Sequence, residues 1–292
     1  MSTQAVNAGL GALPRRQSRS WGKFKRNRSA MLGAVIVSFF VLVAVCAPLL
    51  TAYDPVQVSF SAIRKVPSAA HWFGTDELGR DIFSRMVFGT RASLMAGMSS
   101  VLIALVVGVP FGLLAGYFGG WADGCISRVT EALFSIPFLI LAIALAAFLG
   151  PSLINAMIAI GVSAAPLFIR LTRGQVLSIK NEDYVQSTRS LGASNTRIVV
   201  HHILPNIMPA LIVQATILIA SAIIAEASLS FLGLGLQPPN PSWGSMLNTA
   251  KNFMTQAPWM SVFPGSAIFM VVFGFNLLGD GLRDALDPRQ DS

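Results

Sequence analysis

The sequence predicts an all-α integral membrane protein with six transmembrane helices, and three observations carry that expectation. Of its 292 residues 53% are hydrophobic and only 12% are charged, against roughly 25% charged in soluble domains. Long uncharged runs alternate with short polar stretches, the pattern a bilayer imposes when each spanning backbone group is satisfied inside its own helix. Basic residues, moreover, crowd directly ahead of the first apolar run.

The net charge of +8 and pI near 10.2 raise the question of nucleic acid, which the placement of the charge answers. Seven of the 21 Lys and Arg precede Ser29, namely Arg15, Arg16, Arg19, Lys23, Lys25, Arg26 and Arg28. A juxtamembrane cluster of this kind is explained by the positive-inside rule and by anionic headgroups. The basic region is too long, and the apolar run after it too extended, for a cleaved signal peptide. Residues 1–30 are therefore read as a cytoplasmic basic leader to a retained helix.

The elements follow in order. Residues 31–52 are uncharged and long enough to cross about 30 Å of hydrocarbon at 1.5 Å per residue; this is the first span. Residues 53–90 form a polar extracytoplasmic stretch with room for short surface helices. Residues 92–118 make the second span, closed by Gly119, Gly120 and the interfacial Trp121. The uncharged run 132–169 is about twice a span and is divided at Gly150, Pro151 and Ser152 into the third and fourth. Residues 207–236 supply the fifth, interrupted only by Glu226, and 261–279 the sixth. With the amino terminus inside, 15 basic residues fall on the inner side and six outside, which favours that orientation.

The inner stretch 170–206, RLTRGQVLSIKNEDYVQSTRSLGASNTRIVVHHILPN, is the most informative. Asn181 can cap a helix whose first turn carries Glu182 and Asp183, favourable at the positive end of the helix dipole. Gly192 is suited to ending that helix in a left-handed conformation, and Ser194 can cap a second helix running toward Pro205. The expected product is a helix, glycine turn and helix between two spans.

This stretch resembles the cytoplasmic loop of permease subunits of ATP-binding-cassette importers, whose pattern is EAA, three residues, Gly, nine residues, then I-x-L-P. Gly192, Leu204 and Pro205 fall in register, while Gln186, Ser187 and Thr188 replace the acidic-alanine start and His202 the isoleucine. Four further stretches look like the C-type subunit of the dipeptide, oligopeptide and nickel branch: HWFGTDELGRDIFSR at 71–85, AGYFGG at 115–120, ASLSFLGLGLQPPNPSWG at 227–244 and NLLGDGLRDALDP at 276–288. The resemblance covers nearly the whole chain.

It implies a type I importer permease core of five helices at about 91–280, preceded by an extra N-terminal helix and followed by a cytoplasmic tail at 281–292, in a bacterial inner membrane. It further implies partners: a second homologous permease, two ATPase subunits that bind ATP and Mg, and an extracytoplasmic substrate-binding protein. The implied cargo is dipeptides or oligopeptides, with nickel chelates or glutathione as alternatives in the same family. Residues 186–188, 190–195, Leu204 and Pro205, that is Gln186, Ser187, Thr188, Ser190, Leu191, Gly192, Ala193, Ser194 and Asn195 with the last two, are the expected ATPase-coupling set. Ser190 to Asn195 would seat in a cleft of the ATPase.

Outside that set the readings divide. Glu226 is the one acid within the apolar spans, and such a group faces a cavity or a partner; it either lines the peptide path or reaches interfacial water and braces a neighbouring helix. Asp76 with Arg80, and Asp81 with Arg85, sit at i, i+4 spacing and read either as a solvated helix or as a collar at an external gate where a binding protein docks. Trp243 belongs to that gate or is an interface anchor. Asp280, Arg283, Asp284 and Asp287 are partner contacts or a solvated helix end. His71, His201 and His202 do not gather as metal ligands, Cys46 and Cys125 read as packing residues, and no GxxxxGK[ST] is present. Neither a cofactor nor an enzymatic role is expected. A proton-driven secondary transporter is the rival class, without the internal repeats and buried charges such folds carry.

Overall fold

A computed structural model describes residues 22 and 24–286; the leader positions 1–21, Lys23 and the end of the tail from Asp287 onward lie outside the described residues. Asn27 accepts from the Ala30 amide at 3.1 Å and opens α1, Arg28–Val45. One side of α1 presents exposed Val35, Phe39, Leu42 and Val45, as a lipid-facing helix should. The other side is small: Gly33 lies against Leu277 and Leu278, and Ala30 against Gly281. Small residues let two helices approach closely where no hydrophobic driving force separates lipid from protein.

Helix α2, Ile82–Phe118, starts ten residues before the expected second span. The reason is its cap, for the Asp81 carboxylate accepts from the Ser84 amide at 2.8 Å, and the mixed stretch 82–91, interrupted by Arg85 and Arg91, is helical because Ile82, Arg85, Met86, Val87 and Thr90 are packed inside. At 37 residues it extends about 55 Å, well beyond the hydrocarbon.

The run 132–169 is divided differently from the expectation. Gly150 does reverse the chain, at φ +90°, and Ser152 caps α5, Leu153–Ile179, by accepting from the Asn155 amide at 3.1 Å. The segment before the reversal, however, is a broken pair: α3, Gly120–Phe134, and α4, Phe138–Leu149, meet at 92°. Pro137 lacks an amide donor and restrains the residue before it, which ends α3. Twelve residues of α4 reach only about 18 Å, so neither half crosses alone.

Parallel α2 and α5 form the tightest seam of the bundle. Gly108, Gly112 and Gly116 follow at i, i+4 spacing, and a Cβ on each would stand 2.5 Å from Phe168 Cβ, 2.5 Å from Thr172 Cβ and 2.7 Å from Val176 Cβ. Past α5 come α6, Asp183–Ser190, a three-residue turn Asn195–Arg197, a π-helical stretch Ile198–Ile203, and α7, Leu204–Phe231. A loop leads to α8, Trp243–Ala250, and α9, Trp259–Leu286, completes the bundle. Five of the described helices or helix runs are long and apolar enough to span, and the broken pair makes a sixth. Because α9 continues to Leu286, residues 281–286 extend the last helix instead of starting a tail. Asp284 in it accepts from Asn27 Nδ2 at 3.1 Å, tying the two ends of the chain together.

Candidate coupling elbow and outer collar

At the end of the bundle where α2 and α5 finish, the chain makes the elbow that contains the expected coupling residues. The cap of α6 is Glu182 in extended conformation, with no side-chain cap bond; Asn181, the expected cap, lies one residue early. Asp183 sits in the first turn, where the dipole favours it. Gly192 takes φ +81°, a conformation in which a β-carbon would crowd the following carbonyl. Its amide donates to Arg189 O at 2.9 Å, closing the turn. Ser194 Oγ then accepts from the Arg197 amide at 3.4 Å and starts the return.

The elbow is held at its base and bare at its tip. Val185, Ile198 and Ile203 are fully buried beneath it, whereas Leu191 is 88% exposed. Gln186, Ser187, Ser190, Gly192, Ser194 and Asn195 are exposed as well, with Thr188, Ala193 and Leu204 half-buried. Thr188 Oγ1 and Ser190 Oγ donate to carbonyls one turn back, so neither extends outward. Pro205 is the second residue of α7, directly after the π-helical stretch Ile198–Ile203.

Three residues absent from the sequence reading clamp this elbow to α2. Tyr117 OH donates to Asn195 Oδ1 at 2.8 Å and accepts from Arg189 Nη2 at 3.3 Å, with the Arg189 guanidinium over the ring at 5.6 Å. Lys180 Nζ donates to Gly116 O at 2.9 Å. The signal was present, since AGYFGG places a tyrosine at the last turn of α2, but only folding puts it beside Asn195.

At the opposite end, residues 53–81 form a collar that departs from the solvated-helix reading. Asp76, Arg80, Asp81 and Arg85 are buried, each 5–6% exposed, and Gly79 at φ +74° turns the chain within them. Asp76 accepts from Arg80 Nε at 2.6 Å and from the Leu78 and Arg80 amides at 3.0 and 2.9 Å. The expected Asp81–Arg85 pair is not formed. Asp81 instead meets His71 Nδ1 at 3.0 Å while capping α2. Arg85 Nε stands 3.4 Å from Asp76, and its Nη1 donates to Pro55 O and Pro239 O at 2.8 and 3.3 Å. These charges are paired inside because an unpaired buried charge is costly. They are the collar's framework and present no contact surface of their own.

Glu77 completes the group. Its Oε1 accepts from Arg80 Nη2 at 2.6 Å, and its buried Oε2 has no hydrogen-bond partner among the described residues. Burial, reinforced by the neighbouring Asp76 charge, pushes the Glu77 carboxyl above the usual carboxylate range despite Arg80 and Arg85.

Trp243 is likewise interior, at 0% exposure. Its indole Nε1 donates to Met86 O at 3.2 Å, and Phe40 packs edge-on at 5.7 Å. It locks α8 to α2 and α1. Glu226 is also fully enclosed, accepting from Ser230 Oγ at 2.6 Å and Ser93 Oγ at 3.3 Å, with Ser242 Oγ 3.4 Å beyond Ser230. In this chain Glu226 joins α7 to α2 through Ser93 and, by way of Ser230, to the cap of α8.

A polytopic helical bundle with a clamped, exposed elbow at one end and a charge-paired collar at the other is the architecture of an importer permease. The comparisons give the particular family. Residues 108–292 match the family described as binding-protein-dependent transport system inner membrane component, and residues 18–67 the N-terminal transmembrane domain of oligopeptide transport permease C. The chain belongs to this family of inner-membrane, multi-pass permeases.

Among its relatives, the dipeptide transport system permease protein DppC of Alkalihalophilus pseudofirmus is 48% identical over 270 residues, covering 92% of this chain and 89% of that one. The probable D,D-dipeptide transport system permease protein DdpC of Escherichia coli is 44% identical, covering 94% of both. The glutathione transport system permease protein GsiD of Pectobacterium atrosepticum is 46% identical, covering 93% and 91%. The fold also matches a chain of the inward-facing MetNI methionine ABC transporter, with TM-score 0.57 and 22% identity, over 70% of this chain and 98% of that one.

Proposed function

We propose that this chain is the C-type, pore-forming subunit of an ATP-driven importer that carries dipeptides or short oligopeptides inward, with its amino terminus and elbow in the cytoplasm. The observation that carries this reading is the elbow at 183–197: capped, closed by a left-handed glycine, bare at its tip and clamped to α2 by Tyr117 and Lys180. A stiff projection continuous with α7 passes movement of a docked subunit into the bundle as a rigid body. A second, similar permease would complete the pore, two ATPase subunits would bind ATP and Mg and seat the elbow at Ser190 to Asn195, and this chain would hold no nucleotide. A substrate-binding protein would meet the exposed part of the collar, residues 63–72, where Val66 and Trp72 are solvent-facing.

The test is uptake into proteoliposomes holding both permeases, the ATPases and the binding protein. Dipeptide should accumulate only with ATP and only with the ATPases present; accumulation driven by a proton gradient alone would overturn the reading. Glutathione, offered in parallel, separates the cargo alternative that the 46%-identical relative raises. Gly192→Pro forces φ to about −65° where +81° is required. Hydrolysis should then continue while uptake per ATP falls at least ten-fold, about the effect of 1.4 kcal/mol of lost coupling; normal uptake would remove the elbow's assigned role.

A further inference from the structure

Beside the break between α3 and α4 lies a cleft of about 450 Å³ that none of the roles above uses. Its walls are Ser127, Thr130, Glu131 and Ser135 on one side and Arg170 and Arg173 of α5 on the other. Small-molecule sites occupy roughly 300–1,000 Å³, so the cleft is of the right size for a short peptide. We propose that this cleft is a substrate subsite of the translocation path, in which Arg170 receives the free α-carboxylate of the passing peptide; this deepens the importer reading and rests on it.

Arg170 is the eighteenth residue of α5, whose first is Leu153, and about 20 residues cross the hydrocarbon. That is about 26 Å along the helix from Leu153, so Arg170 sits at the inner edge of the hydrocarbon, where a long basic side chain carries its head to water. Arg170 is exposed in this chain, and the cleft around it is lined by the hydroxyls of Ser127, Thr130 and Ser135 and by Glu131, together with apolar Phe134 and Ile169.

Charge decides what it would bind. Arg173 is already neutralised, its Nε and Nη2 donating to the two Asp123 oxygens at 2.5 and 2.8 Å. Glu131 lies 3.4 Å from Arg128. Arg170 meets no carboxylate among the described residues; its guanidinium stands 5.9 Å from the centre of the Phe134 ring, which steadies the group and leaves its donors free. Glu131 also lines the cleft, so what the cleft offers is a guanidinium with free donors rather than a net positive field, and a planar guanidinium suits a carboxylate bidentately.

The broken span supplies an independent indication. Non-helical backbone at membrane depth persists where it is buried in protein or lines a polar cavity, and interrupted helices mark substrate sites in transporters. The 92° break at residues 135–137 ends on the cleft, which Phe134 and Ser135 line.

The test uses the assembled complex with Cys46 and Cys125 replaced by serine and Ser135→Cys as a reporter on the cleft wall. A water-soluble thiol reagent should modify it, and Ala-Ala in the nucleotide-free complex should slow that modification in a saturable way, with Arg170→Lys raising the half-protecting concentration about ten-fold, the effect of about 1.4 kcal/mol. Ala-Ala carboxamide should not protect. Arg170→Gln should abolish the protection and Arg170→Lys keep part of it. A reporter that never reacts, equal protection by acid and amide, or protection that survives Arg170→Gln would each overturn the subsite. Dipeptide uptake by the parent complex is measured alongside: if it is ATP-dependent while protection fails, the subsite alone is wrong, whereas absent ATP-dependent uptake removes the importer reading itself.

Discussion

Glu226 shows how a single side chain changes meaning on folding. An isolated acid in an apolar helix has two expected fates, and in this chain Ser93, Ser230 and Ser242 enclose it. Glu226→Ala leaves buried hydroxyls without a partner, at about 1–3 kcal/mol, and should lower the unfolding temperature of the detergent-solubilised protein; Glu226→Gln, which still accepts, should lose less. Equal losses would remove the hydrogen-bonding explanation. Glu77 carries a pH dependence of definite sign. A carboxyl whose folded pKa lies above its ordinary value of 4.5 adds stability while protonated and loses it as pH rises through the folded value. The unfolding temperature of Glu77→Gln relative to the parent should therefore rise with pH above 4.5, and a difference that falls instead would contradict the buried, partnerless Oε2.

Among the elements, the seam between α2 and α5 sets the stiffness on which the elbow depends. Gly112→Leu would drive a side chain into Thr172 and the Ile169 carbonyl. Overpacking of that kind costs about 1–3 kcal/mol, so thermal unfolding should shift downward with Gly112→Ala intermediate. An unchanged transition would show that the two helices are not held this closely. The broken α3–α4 pair is the other decisive element, because an ordinary continuous helix there would place no cleft beside Arg170.

On the scale of the whole molecule, charge bias and the paired ends of α1 and α9 predict a definite orientation. In a background without Cys46 and Cys125, Val66→Cys should react with an impermeant thiol reagent in cells whose outer membrane is permeabilised, and Leu191→Cys only once the inner membrane is opened. The reverse pattern would invert the molecule and detach the elbow from any cytoplasmic ATPase. Much of this plan was legible in the chain: apolar runs of spanning length, the Gly150 reversal, the left-handed turn at Gly192 and the Ser194 cap are local or one-dimensional, and each appears where periodicity and turn chemistry place it. The Gly108, Gly112 and Gly116 spacing and the Ser135–Pro137 break were equally local signals, passed over because an uninterrupted apolar run reads as plain spans.

What the sequence determined by itself was the number of crossings, their rough limits and the elbow, since lipid and backbone hydrogen bonding act on short stretches in order. The Asp76–Arg80 pair was legible in its spacing, but only the tertiary structure decided the others: Arg85 turned toward Asp76, Asp81 took His71, Arg173 took Asp123, and Arg170 was left over. Pairing depends on distances between residues far apart in the chain, and within a low-dielectric interior those distances, not the spacing along the chain, set the energy of every charge.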